Sequence, residues 1–373
     1  MKPMLRVAMI GQKGYPPVHG GIERHVAELS VRLAQRGIAV DIYSRPHYSN
    51  ADGPTTEPHV RVIRMASLPT KHFDAITHTV LSTIDSLRRD HDIVHYHALG
   101  PGLLAGWPRW LRGRPTVTTV HGLDWQREKW GPLARGILRL GESASARLPD
   151  RTIVVSRALA AHYSRVHGRD AVCIPNGINE PILREPTSLG AFGITGDYVL
   201  FVGRLVPEKG CHLLVEAYGR LPEEVRKRYQ LVIAGDAGFT EDYVTRLKSQ
   251  ASPGTVFTGF VHGQVLDELY TGASLVTLPS SLEGLSIALL ESMSYGNACL
   301  VSDIPPNLEA GADAVAYVPS GDVAALARGI EELLGDPERR RTLASKARVR
   351  ALAEYSWDRA ADETAALYRS IAR

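Results

Sequence analysis

The stretch YVLFVGRLVPEKGCHLLVEA, residues 198–217, decides how the chain is organised. Tyr198 to Val202 are continuously apolar, with no polar alternation. Such a run fits a strand buried on both faces, as in a parallel sheet covered by helices. Gly203 ends it, Arg204 and Lys209 flank a short loop, and a helical pattern follows Gly210. The same strand–turn–helix unit recurs on both sides. Toward the C-terminus come QLVIAG (230–235), TVFTGFV (255–261), SLVTLPS (274–280), ACLVSD (298–303) and AVAYVP (314–319). Toward the N-terminus an earlier series comprises LRVAMIG (5–11), IAVDIYS (38–44), DIVHYHA (92–98), PTVTTVHG (115–122) and RTIVVS (151–156). Helical patterns lie between these strands, the first at 21–37 and closed by Gly37. Strands alternating with helices specify a parallel sheet with both faces covered. A Pro- and Gly-rich segment, residues 178–197, separates the two series and reads as a linker. The expected architecture is therefore α/β, with two doubly wound parallel-sheet domains over 1–180 and 190–356. Ligands in such sheets sit at the carboxyl ends of strands, and a two-domain chain would hold them in the cleft.

Length and composition agree with this division. A chain of 373 residues exceeds what one core usually serves. With 44% apolar and 22% charged residues it has the make-up of an ordinary globular protein. No apolar run approaches the roughly 20 residues that span a bilayer, and the apolar stretch in MKPMLRVAMIGQKG reads as a first strand instead of a leader. Cys173, Cys211 and Cys299 are scattered, with no zinc-type spacing, so a reducing, cytoplasmic setting is expected. Residues 1–180 hold 24 Lys+Arg and 15 Asp+Glu, a balance of +9; the remaining 19 and 25 give −6. A basic half suits an anionic substrate or an anionic membrane surface; nothing in the sequence matches a nucleic-acid motif.

The chemistry-bearing residues cluster after strands. GQKGYPPVHGGIERHV places Gly20 and Gly21 at the start of a helix, where exposed N–H groups and the helix dipole favour an anion. The loop is neither GxGxxG nor GxxxxGK[ST], and by itself it is also compatible with a plain glycine-rich turn. Arg204 and Lys209 converge on one strand end and suit a diphosphate, or are solvated loop cations. SLVTLPSSLEGLSIALLESM gives a strand, a loop and a helix beginning near Leu285, with Glu283 and Glu291 eight positions apart. Glu291 lies among apolar positions, and a carboxylate there can accept from two adjacent hydroxyls, as on a ribose. Backbone N–H groups of Leu285, Ser286 and Ile287 can meet a sugar hydroxyl or phosphate. The plainer alternatives are a helix-capping charge at Glu283 and a surface residue at Glu291.

Taken together these segments resemble the GT-B glycosyltransferases of family 4, retaining enzymes that use nucleotide-sugar donors. Glu283 and Glu291, within EGLSIALLESMS, match the E-x7-E signature, and GRLVPEKG matches the donor phosphate loop almost residue for residue. GFVHGQVLDELYTGASLVTLPS resembles the base-holding segment, IPNGI (174–178) the close of the first domain, and the Gly20-Gly21 loop the family's N-terminal glycine loop. The resemblance implies two Rossmann-like domains facing across a cleft. It also implies that the last helix, residues 357–373, crosses back to the N-terminal domain, which would bind the acceptor.

The implied roles follow residue by residue. Arg204 and Lys209 would neutralise the diphosphate, Gly20 and Gly21 would approach it, and Glu291 would bind the ribose. Glu283 and His121 would stand by the donor sugar as the catalytic pair, with the amides of Leu285, Ser286 and Ile287 on sugar hydroxyls or phosphate. TVHGLDWQREKWG (119–131) resembles a subset that builds surface polysaccharides, and Trp125, Arg127, Lys129 and Trp130 would border the acceptor. The family's usual EAMA is ESMS here, which changes no charge. No cofactor and no metal is expected, the cations standing where a metal acts elsewhere.

A glycosidase pair would flank the scissile bond, usually from different strand ends, which Glu283 and Glu291 do not suit. A sugar phosphorylase or nucleotide-sugar epimerase of the same architecture and transfer to a soluble small molecule remain alternatives. GWPRWLRGR (106–114), with two tryptophans and three arginines, raises peripheral contact with an anionic leaflet and hence a lipid-linked acceptor.

Overall fold

The computed structural model describes residues 4–17, 20–48, 52–70, 73–237 and 241–372. The chain divides into two compact units, Met1–Gly177 with Trp357–Arg373, and Ile178–Ser356.

The first unit is built on eight strands: β1 (Leu5–Ile10), β2 (Ile38–Ser44), β3 (Gly53–Pro54), β4 (Val60–Arg64), β5 (Ile93–His97), β6 (Thr116–Val120), β7 (Arg151–Val154) and β8 (Val172–Cys173). Their order is β3-β4-β2-β1-β5-β6-β7-β8, and every pair is parallel except β3 with β4. The central strands are apolar on both faces because helices cover both: Val7 to Ile10 and Ile93 to Tyr96 are all buried. The sheet reverses direction of winding between β1 and β5, so the loops after those two strands open a crevice. The helix Gly21–Gln35 follows β1, and the C-terminal helix Trp357–Ile371 belongs to the same unit. Arg36 clamps the two together, with Nε 2.6 Å from Asp362 and Nη2 3.2 Å from Asp358.

The second unit has six parallel strands: β9 (Asp197–Val202), β10 (Tyr229–Ala234), β11 (Thr255–Gly259), β12 (Leu275–Leu278), β13 (Cys299–Ser302) and β14 (Ala316–Val318). Their order is β11-β10-β9-β12-β13-β14, so the switch falls between β9 and β12.

Three details differ from the sequence pattern. Residues 178–197 are no free linker. Leu189 and Ile194 are buried in the second unit, and Glu268 accepts from Ser188 N at 2.7 Å, Ser188 Oγ at 3.0 Å and Thr187 Oγ1 at 3.1 Å. The chain therefore passes from one unit to the next at Gly177–Ile178. Second, the helix expected near Leu285 starts at Ile287, because Ser286 caps it by accepting from Leu289 N. Third, β3, β4 and the helix Asp74–Arg88 occupy residues 45–91, where periodicity predicts nothing.

Candidate active site

Two groups of the expected residues sit at the two switch points, each within its own unit. In the second unit the loop after β9 carries Arg204 and Lys209, and the loop after β12 carries Glu283. The two loops are joined at four places. Lys209 Nζ donates to Glu283 Oε1 at 2.6 Å. The carbonyl of Glu208 accepts from Ser281 N at 3.0 Å and from Ser281 Oγ at 3.4 Å. Gly210 has φ of 70° and lies so close to the Pro279 carbonyl that a Cβ would collide with it. Only glycine meets both demands without strain. From beneath, Ser302 Oγ donates to the Ser280 carbonyl, and Asn307 Nδ2 donates to Ser302 O at 3.0 Å. The side chains of Lys209 and Glu283 are 19% and 9% exposed, a half-buried pair whose charges face each other across the crevice.

Glu283 lies ahead of the helix Ile287–Ser294, so the capping role falls to Ser286 and leaves the carboxylate to Lys209. Leu285 and Ser286 are buried, and Ile287 is half-buried. The first-turn amides of that helix have no intrahelical acceptor, and Ser286 serves only one of them, on Leu289. Glu291 is one turn further on and accepts from Tyr270 Oη at 3.3 Å. Tyr270 stacks on Tyr295, with ring centres 5.0 Å apart, and Tyr295 Oη donates to Asp267 at 2.5 Å. Tyr270 and Tyr295 thus orient Glu291 from below. Neither was legible, since nothing in the sequence ties residue 270 to residue 291.

In the first unit His121 follows β6 and lies beside β5. Its Nε2 is 3.2 Å from Nδ1 of His97, the last residue of β5. His25, on the helix after β1, packs edge-on against His121 with ring centres 4.7 Å apart, and its Nδ1 meets Asn176 Oδ1 at 2.9 Å. His95, two residues before His97 on the same strand face, bonds Tyr368 Oη at 2.5 Å and Thr119 Oγ1 at 2.7 Å. Burial lowers His25 to about 4, partly offset by the Asn176 bond, and lowers His95 to about 3. Burial and then the neighbouring imidazoles hold His97 and His121 well below the ordinary histidine range. All four rings are therefore neutral near pH 7. The signal that could have found this cluster is the H-x-H of DIVHYHA, because strand residues two apart share a face.

Gly20 is the N-cap of the helix Gly21–Gln35, with φ of 106°. Its neighbourhood already holds a carboxylate: Glu23 is buried, accepts from Lys13 N at 3.1 Å and lies against Gly20. The residues expected at the acceptor rim have local partners. Trp125 Nε1 donates to Glu142 at 2.6 Å, and Arg139 sits over the Trp125 ring at 4.6 Å. Arg127 pairs with Asp124 at 2.9 Å, and Lys129 covers the Trp130 ring at 4.6 Å. Glu142 also accepts from His162 and His167 at 2.7 and 2.8 Å. Burial pushes its carboxyl up, yet the hydrogen bonds from His162, His167 and Trp125 outweigh that and hold it below the usual range.

Comparison with known proteins shows the family of the chain. Residues 192–350 match the family description "Glycosyl transferases group 1", and residues 19–180 match "Glycosyltransferase Family 4". The D-inositol 3-phosphate glycosyltransferase of Xylanimonas cellulosilytica is 30% identical over 92% of this chain and 89% of its own length. The fold is shared with the sucrose-phosphate synthase of Thermosynechococcus elongatus, at TM-score 0.84 and 22% identity over 98% of each chain. It is shared as well with Anabaena HepE in complex with UDP-glucose, at TM-score 0.80 and 19% identity over 98% of this chain and 100% of that one. The chain is a glycosyltransferase of GT-B fold, and it belongs to the group 1, family 4 glycosyltransferases.

Proposed function

We propose that the protein moves a hexose-type sugar from a nucleoside diphosphate donor to an acceptor hydroxyl, with retention of anomeric configuration. The observation that carries the reading is the pair of joined loops at the β9/β12 switch point. There Lys209 pairs with Glu283 just ahead of the helix that bears Glu291, and Arg204 lies on the same loop after β9 as Lys209. Arg204, Lys209 and the first-turn amides suit charge growing on a departing diphosphate. In retaining transfer the acceptor oxygen attacks the anomeric carbon on the face the diphosphate leaves. The C–O bond to phosphate breaks, and the acceptor proton passes to the leaving phosphate oxygen. Glu291, held by Tyr270, accepts from the ribose hydroxyls. His121 and the Gly20-Gly21 turn are assigned to the donor on the resemblance to the family. Surface polysaccharide or glycoconjugate assembly is the setting we favour. A structural relative in complex with UDP-glucose makes UDP the first nucleotide to try.

The test is thermal stability against a panel of nucleotides and nucleotide sugars, for wild type, Glu291→Ala and Arg204→Ala. A ligand at about 100 times its dissociation constant adds roughly 2.7 kcal/mol. One nucleotide series should stabilise wild type and neither variant. If no nucleotide moves the transition, the donor assignment fails. Product anomeric configuration, read by proton NMR, tests retention separately.

A further inference from the structure

We infer that His25, His97 and His121 form a binding site for a divalent transition-metal ion of the zinc class. Three separate elements bring the rings together: the helix after β1, the end of β5 and the turn after β6. Each offers one ligand nitrogen, and the three nitrogens lie within 4.8 Å of one another. The ring centres form a triangle with sides of 4.7, 5.5 and 5.6 Å.

The separation of His97 Nδ1 and His121 Nε2 is 3.2 Å. Two imidazole nitrogens each about 2.1 Å from zinc and about 100° apart are separated by roughly that distance, close to a tetrahedral edge. His25 has to move inward to complete the set, since the three ligand atoms lie up to 4.8 Å apart, and its tautomer suits ligation. Nδ1 faces Asn176 Oδ1 at 2.9 Å, which makes Nδ1 the donor and leaves the lone pair on Nε2. That Nε2 is buried with no hydrogen-bond partner among the described residues. A ligand histidine whose second nitrogen is held by an oxygen acceptor is the usual outer-shell arrangement at such sites. His97 likewise has Nε2 buried and without a partner among the described residues, and its Nδ1 faces His121. An unsatisfied buried polar atom costs free energy, and metal ligation would recover it at His25.

The donor set also selects the ion. Three neutral imidazoles suit zinc, cobalt, nickel or copper and not the oxygen-seeking magnesium or calcium. His121 is the partly exposed member and provides both entry and an open fourth position. On the reading that His121 serves the donor sugar, an ion there competes with transfer, so the site is inhibitory.

Cobalt(II) titration of the purified full chain tests the site directly. Wild type should bind one ion with the visible d–d absorption of a four-coordinate centre, displaced by zinc. His25→Gln and His97→Gln should abolish the band, and Asn176→Ala should weaken affinity about 10- to 100-fold. The exposed His262→Gln should leave it unchanged. No band in wild type overturns the inference without recourse to any variant, as does a band that survives both histidine substitutions. Nucleotide stabilisation measured on the same preparation separates the two readings. A cobalt band without nucleotide binding sinks the donor assignment, and nucleotide binding without the band sinks the metal site.

Discussion

Lys209 and Glu283 show what a single residue can and cannot reveal. Both were legible as candidates, one from GRLVPEKG and one from the spaced glutamates. Their pairing was not, because 74 positions separate them and only the β9/β12 adjacency brings them together. The pair separates two functions. Lys209→Ala removes the proposed diphosphate cation and leaves Glu283 half-buried without its Lys209 partner. A charge-assisted hydrogen bond is worth about 1.5–3 kcal/mol, so nucleotide affinity should fall roughly ten- to hundredfold. Glu283→Gln frees Lys209 from its counter-ion and should leave nucleotide affinity within about threefold. Its transfer rate should drop on the order of 10²-fold, as when one transition-state contact is lost. Calorimetric nucleotide titration beside steady-state rates would check both. Equal affinity losses in the two variants would make the pair a structural brace and no part of the chemistry.

At the scale of elements, continuous apolar strands were easy to read and mixed ones were not. In the second sheet β9, β10, β12 and β13 follow from their Val, Leu and Ile runs, while β11 (TVFTG) and β14 (AYV) follow from their place in the strand–helix alternation. The helix Asp74–Arg88 does not, because its buried face is made of small hydroxyl residues that blur the apolar period. His78, Thr79, Ser82, Thr83 and Ser86 are all buried there. The helix carries them because Thr79, Thr83 and Ser86 bond carbonyls of their own preceding turn, each at 2.7 Å. The 178–197 segment misled for the opposite reason. Its prolines and glycines look like a spacer, while the anchor that packs it down is Glu268, about eighty residues away. The loop Gly203–Gly210 is the element on which the proposed donor site depends, and glycine substitution tests that. Gly193 and Gly210 both have positive φ, but a Cβ at 193 meets open space and one at 210 meets the Pro279 carbonyl. Gly193→Ala should cost about 1–2 kcal/mol and leave nucleotide stabilisation intact. Gly210→Ala should lower the melting temperature further and abolish that stabilisation. Matching melts and matching nucleotide shifts for the two variants would show that the loops need no such close approach.

For the molecule as a whole, the +9 and −6 balance of the two halves was readable from the sequence, but where the basic half exposes its apolar groups was not. On the helix Gly106–Arg112, Trp110 is 67% exposed and Leu111 62%, with Trp107 beside them at 36%. This helix borders the helix Asp74–Arg88 along a groove lined by Ile84, Leu87, Arg88, Leu111 and Arg112. Exposed indoles flanked by guanidinium groups fit the headgroup level of a bilayer, where the ring is apolar and its N–H stays wet. Each arginine near an anionic leaflet adds about 1 kcal/mol, so the effect is selective for lipid charge. No helix among the described residues is long and apolar enough to cross a membrane, so this patch is proposed as surface contact. Wild type should co-sediment with vesicles containing phosphatidylglycerol, more weakly at high salt, and not with pure phosphatidylcholine. Trp110→Ala combined with Leu111→Ala should lose that binding while keeping the nucleotide-dependent rise in melting temperature, because both residues belong to the first unit and the proposed donor loops belong to the second. Equal sedimentation with both lipids, or an unchanged variant, would remove the membrane from the account and make a freely soluble acceptor the substrate to pursue.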